Sequence, residues 1–173
     1  TLLRYFNASG TSACGNFGED HSPENHLIPL VLQVPLGQRD KIMVFGTDYP
    51  TEDGTCIRDY VHVDDLASAH WLAIQATTPT TREVFNIGTG NGQSVMQIIK
   101  AREEVTGQAI KVQITDRRPG DPPALVADPA KLKTQLGWEP KYTDIRDTIA
   151  TAWKWHQSHP KGYLIGETSC ATI

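Results

Sequence analysis

A chain of 173 residues with 39% hydrophobic and 21% charged content is long enough for one domain with its own core. Its net charge of −4 excludes the basic footprint of a nucleic-acid binder, and no apolar run approaches the roughly 20 residues of a membrane span. Cys14, Cys56 and Cys170 are too few and too far apart for a disulfide framework or a zinc site, and no signal peptide is visible, so a cytoplasmic protein is expected.

The chain starts at Thr1 directly in an apolar run, which reads as a piece of something longer. Leu2 to Phe6 is a short, largely buried strand ended by the turn cluster Asn7-Ala8-Ser9-Gly10. Gly15 to Asn25 is a polar loop. Between His26 and Val34, residues Leu27, Leu30, Val31 and Val34 recur at helical spacing, with Pro29 in the first turn and Pro35 as a stop. Ile42 to Phe45 is a strand stopped by Gly46. The stretch from Tyr49 to Asp65 organises the rest. It opens as a turn at Tyr49-Pro50 and Asp53-Gly54 and becomes a strand from Cys56 to Val63. A helix follows, capped by Asp64 or Asp65 and reaching about Gln75, with Leu66, Ala69, His70 and Ala73 inward.

Val84 to Ile87 is a strand, followed by Gly88-Thr89-Gly90-Asn91-Gly92 and a helix whose capping box is Ser94 with Gln97 and whose C-terminal cap is Gly107. Lys111 to Thr115 alternates like a strand, and Arg117 to Pro123 is a rigid charged loop. Asp128-Pro129 opens a short helix ended by Gly137. Thr143 caps the last helix, with Ile145, Ile149, Ala152 and Trp153 inward, and residues 161–173 read as a flexible tail. Strands alternating with helices make the class α/β with mainly parallel pairing.

Three constellations bear on chemistry. The Gly88–Gly92 loop departs from the dinucleotide fingerprint at Gln93, and no acid follows on a strand as the ribose partner, so it reads as a tight turn rather than a phosphate cradle. Arg58 and Arg118 each sit beside a turn in loops rich in Gly and Pro. Two fixed guanidiniums match a diphosphate, with Asp121 as an acceptor for a ribose hydroxyl. Surface ion pairs, Arg58 with Asp59 or Arg118 with Asp121, explain the same residues equally well from spacing alone. The histidines show no metal spacing, and His62 and His70 read as packed or exposed rather than as ligands. No Tyr-x-x-x-Lys pair and no recognisable nucleophile is present, so no catalytic residue is assigned within this chain.

The string Tyr49-Pro50-Thr51-Glu52-Asp53-Gly54-Thr55 with Ile57-Arg58-Asp59-Tyr60-Val61-His62-Val63 closely resembles the UDP-glucose 4-epimerase (UDP-galactose 4-epimerase) family. So do Arg4-Tyr5-Phe6-Asn7, Gly18-Glu19-Asp20, Val44-Phe45-Gly46, Asn86-Ile87-Gly88 and Arg117-Arg118-x-Gly120-Asp121, in the same order over about residues 2 to 163. Shorter patterns among these are shared by many extended short-chain dehydrogenases/reductases. The resemblance covers that family's C-terminal half. It implies an NAD(P)-binding Rossmann-like α/β fold in which residues 1–160 form the smaller substrate-binding half. Residues 1–10 and about 60–107 would contribute elements to the Rossmann domain. It implies an NAD-dependent isomerase, a homodimer when complete, that interconverts UDP-glucose and UDP-galactose through a 4-keto sugar; the alternatives are another NAD-dependent sugar-nucleotide epimerase, decarboxylase or dehydratase, or a non-catalytic nucleotide-sugar binding module. NAD and the catalytic Tyr and Lys would be held mainly by the half not matched here, leaving this chain inactive alone.

Carried over position by position, the resemblance makes Phe6 a nicotinamide-side contact and Asn7 a contact to the sugar nucleotide. Leu27, Met43, Val44 and Phe45 become backbone and apolar contacts to the nucleotide. Arg58 and Arg118 become the diphosphate arginines, Asp121 the ribose carboxylate and Tyr60 a weaker contact. His26 stands where an Asn is common. Leu125 stands where other members carry Tyr or Cys facing the hexose, which leaves room for an N-acetylated sugar.

Overall fold

The computed structural model describes residues 1–163. The first strand, β1 (Leu2–Tyr5), pairs in parallel with β5 (Val84–Ile87), setting Leu2 opposite Val84 and Tyr5 opposite Ile87. At Phe6 the chain changes sheets. β2 (Asn7–Ser9) runs parallel to β4 (Ile57–His62), so the turn expected at Asn7–Gly10 begins only at Gly10. Partners decide this: Tyr60, Val61 and His62 offer a free strand edge, which overrides the turn preference of Asn and Ser. β4 also pairs with two short strands that the sequence did not announce, β6 (Gly92–Ser94) antiparallel and β8 (Ala124–Leu125) parallel. β3 (Ile42–Phe45) pairs in parallel with β7 (Val112–Thr115).

The helices are α1 (Leu27–Gln33), α2 (Val63–Ala76), α3 (Val95–Thr106), α4 (Ala130–Leu136) and α5 (Ile145–Ser158). They gather two cores. Ile28, Val31, Leu32, Ile98 and Ile149 pack α1, α3 and α5 against β3. Phe85, Ile87, Leu66, Leu132 and Trp138 pack α2 and α4 against β4 and β5. β4 is the wall between them, because successive side chains point to opposite faces: Tyr60 belongs to the first core and Val61 to the second.

Helix ends follow capping chemistry, with two changes from expectation. Ser94 and Gln97 form the capping box of α3 and Gly107 closes it at φ +68°. α2 is capped by His62, not by Asp64 or Asp65: its imidazole accepts from the Asp64 N–H, while the Asp65 carboxylate turns inward to accept from the amides of Lys141 and Tyr142. α5 is capped by Asp144, not Thr143, because the Asp144 carboxylate reaches the Arg146 N–H.

Burial differs from expectation at three places. β1 is largely exposed, since β5 is its only strand neighbour among the described residues. His70 lies on the exposed side of α2. In α5 the fully packed indole is Trp155, with Trp153 only partly covered. Of the tail expected over 161–173, positions 164–173 lie outside the described residues. Tyr163 is anchored instead of loose: its hydroxyl bonds the Gly18 amide at 2.9 Å and its ring meets Trp155. No described helix is long and apolar enough to cross a membrane.

Candidate functional site

A cavity of about 850 Å³ opens between the start of α1, the edge of β3 and the face of β4, within the size range of small-molecule sites. Strand periodicity aims β4 at it. Cys56, Arg58 and Tyr60 alternate along the strand and all line the cavity, while Ile57, Asp59 and Val61 face the other way. The turn before β4 is held by Gly54 at φ +76°, where a Cβ would meet the Thr47 carbonyl at 2.1 Å. Asp53 locks that turn to the head of α3 by accepting from Thr55 and from Ser94.

Most residues singled out from sequence converge here. Phe6 and Asn7 line one end, at the switch from β1 to β2. His26 and Leu27 enter from α1, and Met43 and Phe45 from β3. Arg58, Tyr60 and Arg118 complete the wall. Val44 does not, because alternation along β3 sends its side chain into the first core, where it is 1% exposed. Leu125 is not part of the cavity wall either. It pairs in register with Arg58 on β8, beside the cavity and largely uncovered.

The two arginines meet at Asp121. Arg58 Nη2 lies 2.8 Å from Asp121 Oδ1 and Arg118 Nη2 lies 3.3 Å from Asp121 Oδ2. The expected Arg58–Asp59 pair does not form; the Arg118–Asp121 pair does. Arg58 is fixed further by donating from Nη1 to the carbonyls of Ile57, at 2.7 Å, and Pro122, at 3.0 Å. Arg118 is more open, with its guanidinium over the Phe45 ring at 4.7 Å. Asp121 Oδ2 is buried and satisfies no hydrogen bond of good geometry, so an acceptor remains for a hydroxyl. Burial pushes the Tyr60 phenol well up, against the pull of Arg58, which keeps it protonated and unsuited to act as a base.

Sequence reasoning missed Asp59. Its side chain is fully buried and accepts from Thr89 N and Thr89 Oγ1, from Gly90 N and from Ala127 N, at 2.7–3.1 Å. An internal carboxylate thus takes the Thr89 and Gly90 amides, and Thr89 Oγ1 takes that of Asn91, so the central amides of the Gly88–Gly92 turn are already used. Cys56 was missed too, although period-2 alternation from Arg58 points to it. One further cluster escaped the sequence. The spacing of the histidines hid a meeting of His21, Glu24 and His26 at the cavity rim, with Glu19 beside them. Burial, then the Glu24 charge, push the Glu19 carboxyl up.

Comparison with known proteins places this geometry. Residues 1–168 match the profile of a family described as GDP-mannose 4,6 dehydratase. The chain belongs to the GDP-mannose 4,6-dehydratase family. Within that family it is 53% identical to a UDP-glucose 4-epimerase of Halalkalibacterium halodurans over 93% of this chain and 48% of the relative. A crystal structure of a UDP-glucose 4-epimerase superposes with TM-score 0.89 at 52% identity, over 94% of this chain and 50% of that one. That of UDP-glucose 4-epimerase from Bifidobacterium longum, in complex with NAD+ and UDP, also gives TM-score 0.89, at 42% identity over 94% of this chain and 48% of that one. The chain spans about half the length of the family members it matches, and the α/β fold with parallel pairing is theirs.

Proposed function

We propose that this chain is the sugar-nucleotide-binding half of a UDP-glucose 4-epimerase, an NAD-dependent, cytoplasmic enzyme that is a homodimer when complete. The observation that carries the reading is that Arg58 and Arg118, sixty positions apart, line one cavity and pair with one carboxylate, Asp121, behind its wall. Without ligand, Asp121 neutralises both guanidiniums. A pyrophosphate offers the same acceptor geometry with more charge, so it takes over the arginines and releases Asp121 toward a ribose hydroxyl. Phe45 and Met43, on the edge of β3 that β7 leaves open, flank the base. Leu27 adds an apolar contact to the nucleotide, Asn7 and His26 contact the sugar nucleotide, and Leu125 stands just outside that wall.

The chain's own part in the chemistry is positioning. A hexose that must present both faces in turn needs a nucleotide that stays fixed, and two charge-assisted contacts on the diphosphate supply that anchor. Bound NAD supplies the hydride acceptor. Phe6, at the cavity end where β1 stops, is the residue here that fits its nicotinamide side. The Thr89 and Gly90 amides are taken by Asp59 and that of Asn91 by Thr89 Oγ1, which favours NAD phosphates held outside this chain. Residues 1–10 and about 60–107 complete the Rossmann domain, and residues 1–160 form the substrate half.

Calorimetric titration of the 173-residue chain with UDP tests the reading. Saturable binding is expected, weakened about 10- to 100-fold in Arg58→Ala, with little rescue by Arg58→Lys, because a lysine makes neither the fork nor the carbonyl bonds. Absence of saturable UDP binding, or equal affinity in Arg58→Ala, rejects it.

A further inference from the structure

The loop leading into α1 collects two imidazoles and two carboxylates. His21, Glu24 and His26 bring one ligand atom each within 4.8 Å of the others, the only such group of three or more among the described residues. Glu24 Oε1 lies 2.9 Å from His26 Nδ1 and 3.9 Å from His21 Nδ1, and Glu19 Oε1 lies 2.8 Å from His26 Nδ1. The two rings meet edge to face with centroids 5.0 Å apart. We propose that His21, Glu24 and His26 form a binding site for a divalent first-row transition ion, with zinc the best fit and Glu19 beside His26 at its edge.

Geometry, charge and support all favour it. Zinc bonds to imidazole and carboxylate are about 2.0–2.2 Å long, which places tetrahedral ligand atoms about 3.3 Å apart. Within the group His26 Nδ1 and His21 Nδ1 stand 2.9 and 3.9 Å from Glu24 Oε1 and every pair of ligand atoms lies within 4.8 Å, so separations need to change by about 1.5 Å at most to make a coordination shell. Glu24 within the group and Glu19 beside it bring two carboxylates to a charge of +2. Two imidazoles select against magnesium and calcium, which prefer oxygen alone. The Glu24 carboxylate is already oriented, since its Oε1 accepts from the amides of Asn25 and His26 at 2.7 Å each, which leaves Oε2 as the oxygen open to an ion. Both imidazoles are about half exposed, so an ion has an open path in and water can fill any remaining position. Bound there, the ion ties residues 19–24 to the first turn of α1, which carries Leu27 on the cavity wall. His26 is shared with the cavity wall, so the ion is tested with no nucleotide present.

The test uses zinc chloride as the only ligand. The 173-residue chain is stripped with EDTA, moved to chelator-free buffer and titrated by calorimetry, while proton–nitrogen spectra follow each imidazole. One ion per chain is expected, with resonance changes confined to His21 and His26. Affinity should fall on the order of tenfold or more in both His21→Ala and Glu24→Gln, and stay unchanged in His70→Ala, exposed on α2. Circular dichroism checks that each variant is folded; should one fail, the imidazole resonances of the unsubstituted chain decide alone. No saturable binding, resonance changes at other histidines, or unaltered affinity in folded His21→Ala and Glu24→Gln would overturn the site.

Discussion

A carboxylate shut away from water is tolerated only when its lone pairs are filled. Asp59 has no exposed surface, and four donors from two chain segments fill it: the Thr89 amide and hydroxyl, the Gly90 amide and the Ala127 amide. It therefore staples the β5–β6 loop and the segment after β8 to the strand that carries Arg58, its immediate neighbour. Asp59→Ala leaves three amides without their acceptor at once, that of Ala127 buried and those of Thr89 and Gly90 nearer the surface. At about 1–3 kcal/mol for each orphaned group, partly recovered by relaxation, the loss should be about 3–5 kcal/mol. Urea unfolding of the variant measures it. A loss under about 1 kcal/mol would mean that these amides find other partners and that the staple is unimportant.

At the scale of elements, α2 shows how far a cap is readable. The strand-to-helix junction at residues 62–65 was visible, but Asp64 and Asp65 hid the residue that performs the capping. Histidine is a poor cap by propensity and serves here because the fold buries it: His62 stacks on Tyr142 at 3.5 Å, contacts Thr151 Oγ1 at 3.1 Å and accepts from the Asp64 amide. Local signals succeeded where one segment decides its own structure, as in the Ser94–Gln97 box and the Gly107 and Gly137 stops. They failed where a partner distant in sequence decides, as at β2, β6 and β8, each of which is a strand only because β4 is beside it. The same division runs through the site. Arg58 and Arg118 were legible as residue types next to turns, and their meeting at Asp121 required the tertiary path.

Burial of His62 also makes α2 sensitive to pH. Burial pulls its imidazole pKa below the ordinary value, and the charges of Asp64 and Asp65 offset this only in part. The unfolded chain, with an imidazole near about 6.5, takes up a proton first as pH falls. The folded state is thus favoured fully above about pH 6.5, and that contribution is lost as pH drops through 6.5 toward the folded value. Nuclear magnetic resonance should place the His62 midpoint below 6.5, and urea midpoints should fall between pH 7.5 and 5.5. A His62 midpoint at or above 6.5 would contradict the role given to burial.

For the molecule as a whole, the two cores are unequally covered. The first is wrapped by α1, α3 and α5. The second leaves β1 and the outer side of α2 bare: Leu2 is 66% exposed, Tyr5 53%, Trp71 61% and Ile74 66%. These side chains are not scattered singly. The Tyr5 ring lies 6.1 Å from that of His70, and a shallow hollow runs on through Thr1, Leu3, Ala73, Ile74 and Thr77. A contiguous apolar face of this kind binds hydrophobic dye even when the chain is fully folded. Anilinonaphthalene sulfonate should therefore fluoresce with the native chain, and the signal should fall by about half or more in the double variant Trp71→Lys, Ile74→Lys. Both side chains are exposed, so folding should persist, and circular dichroism verifies that. The chemistry should be equally incomplete: the sequence has no Tyr-x-x-x-Lys pair, and burial keeps Tyr60 protonated. With NAD and UDP-glucose supplied, the chain alone should bind the nucleotide yet form no UDP-galactose. Turnover by the pure chain would show that a base has been overlooked, whereas binding without turnover separates the half that holds the substrate from the half that transforms it.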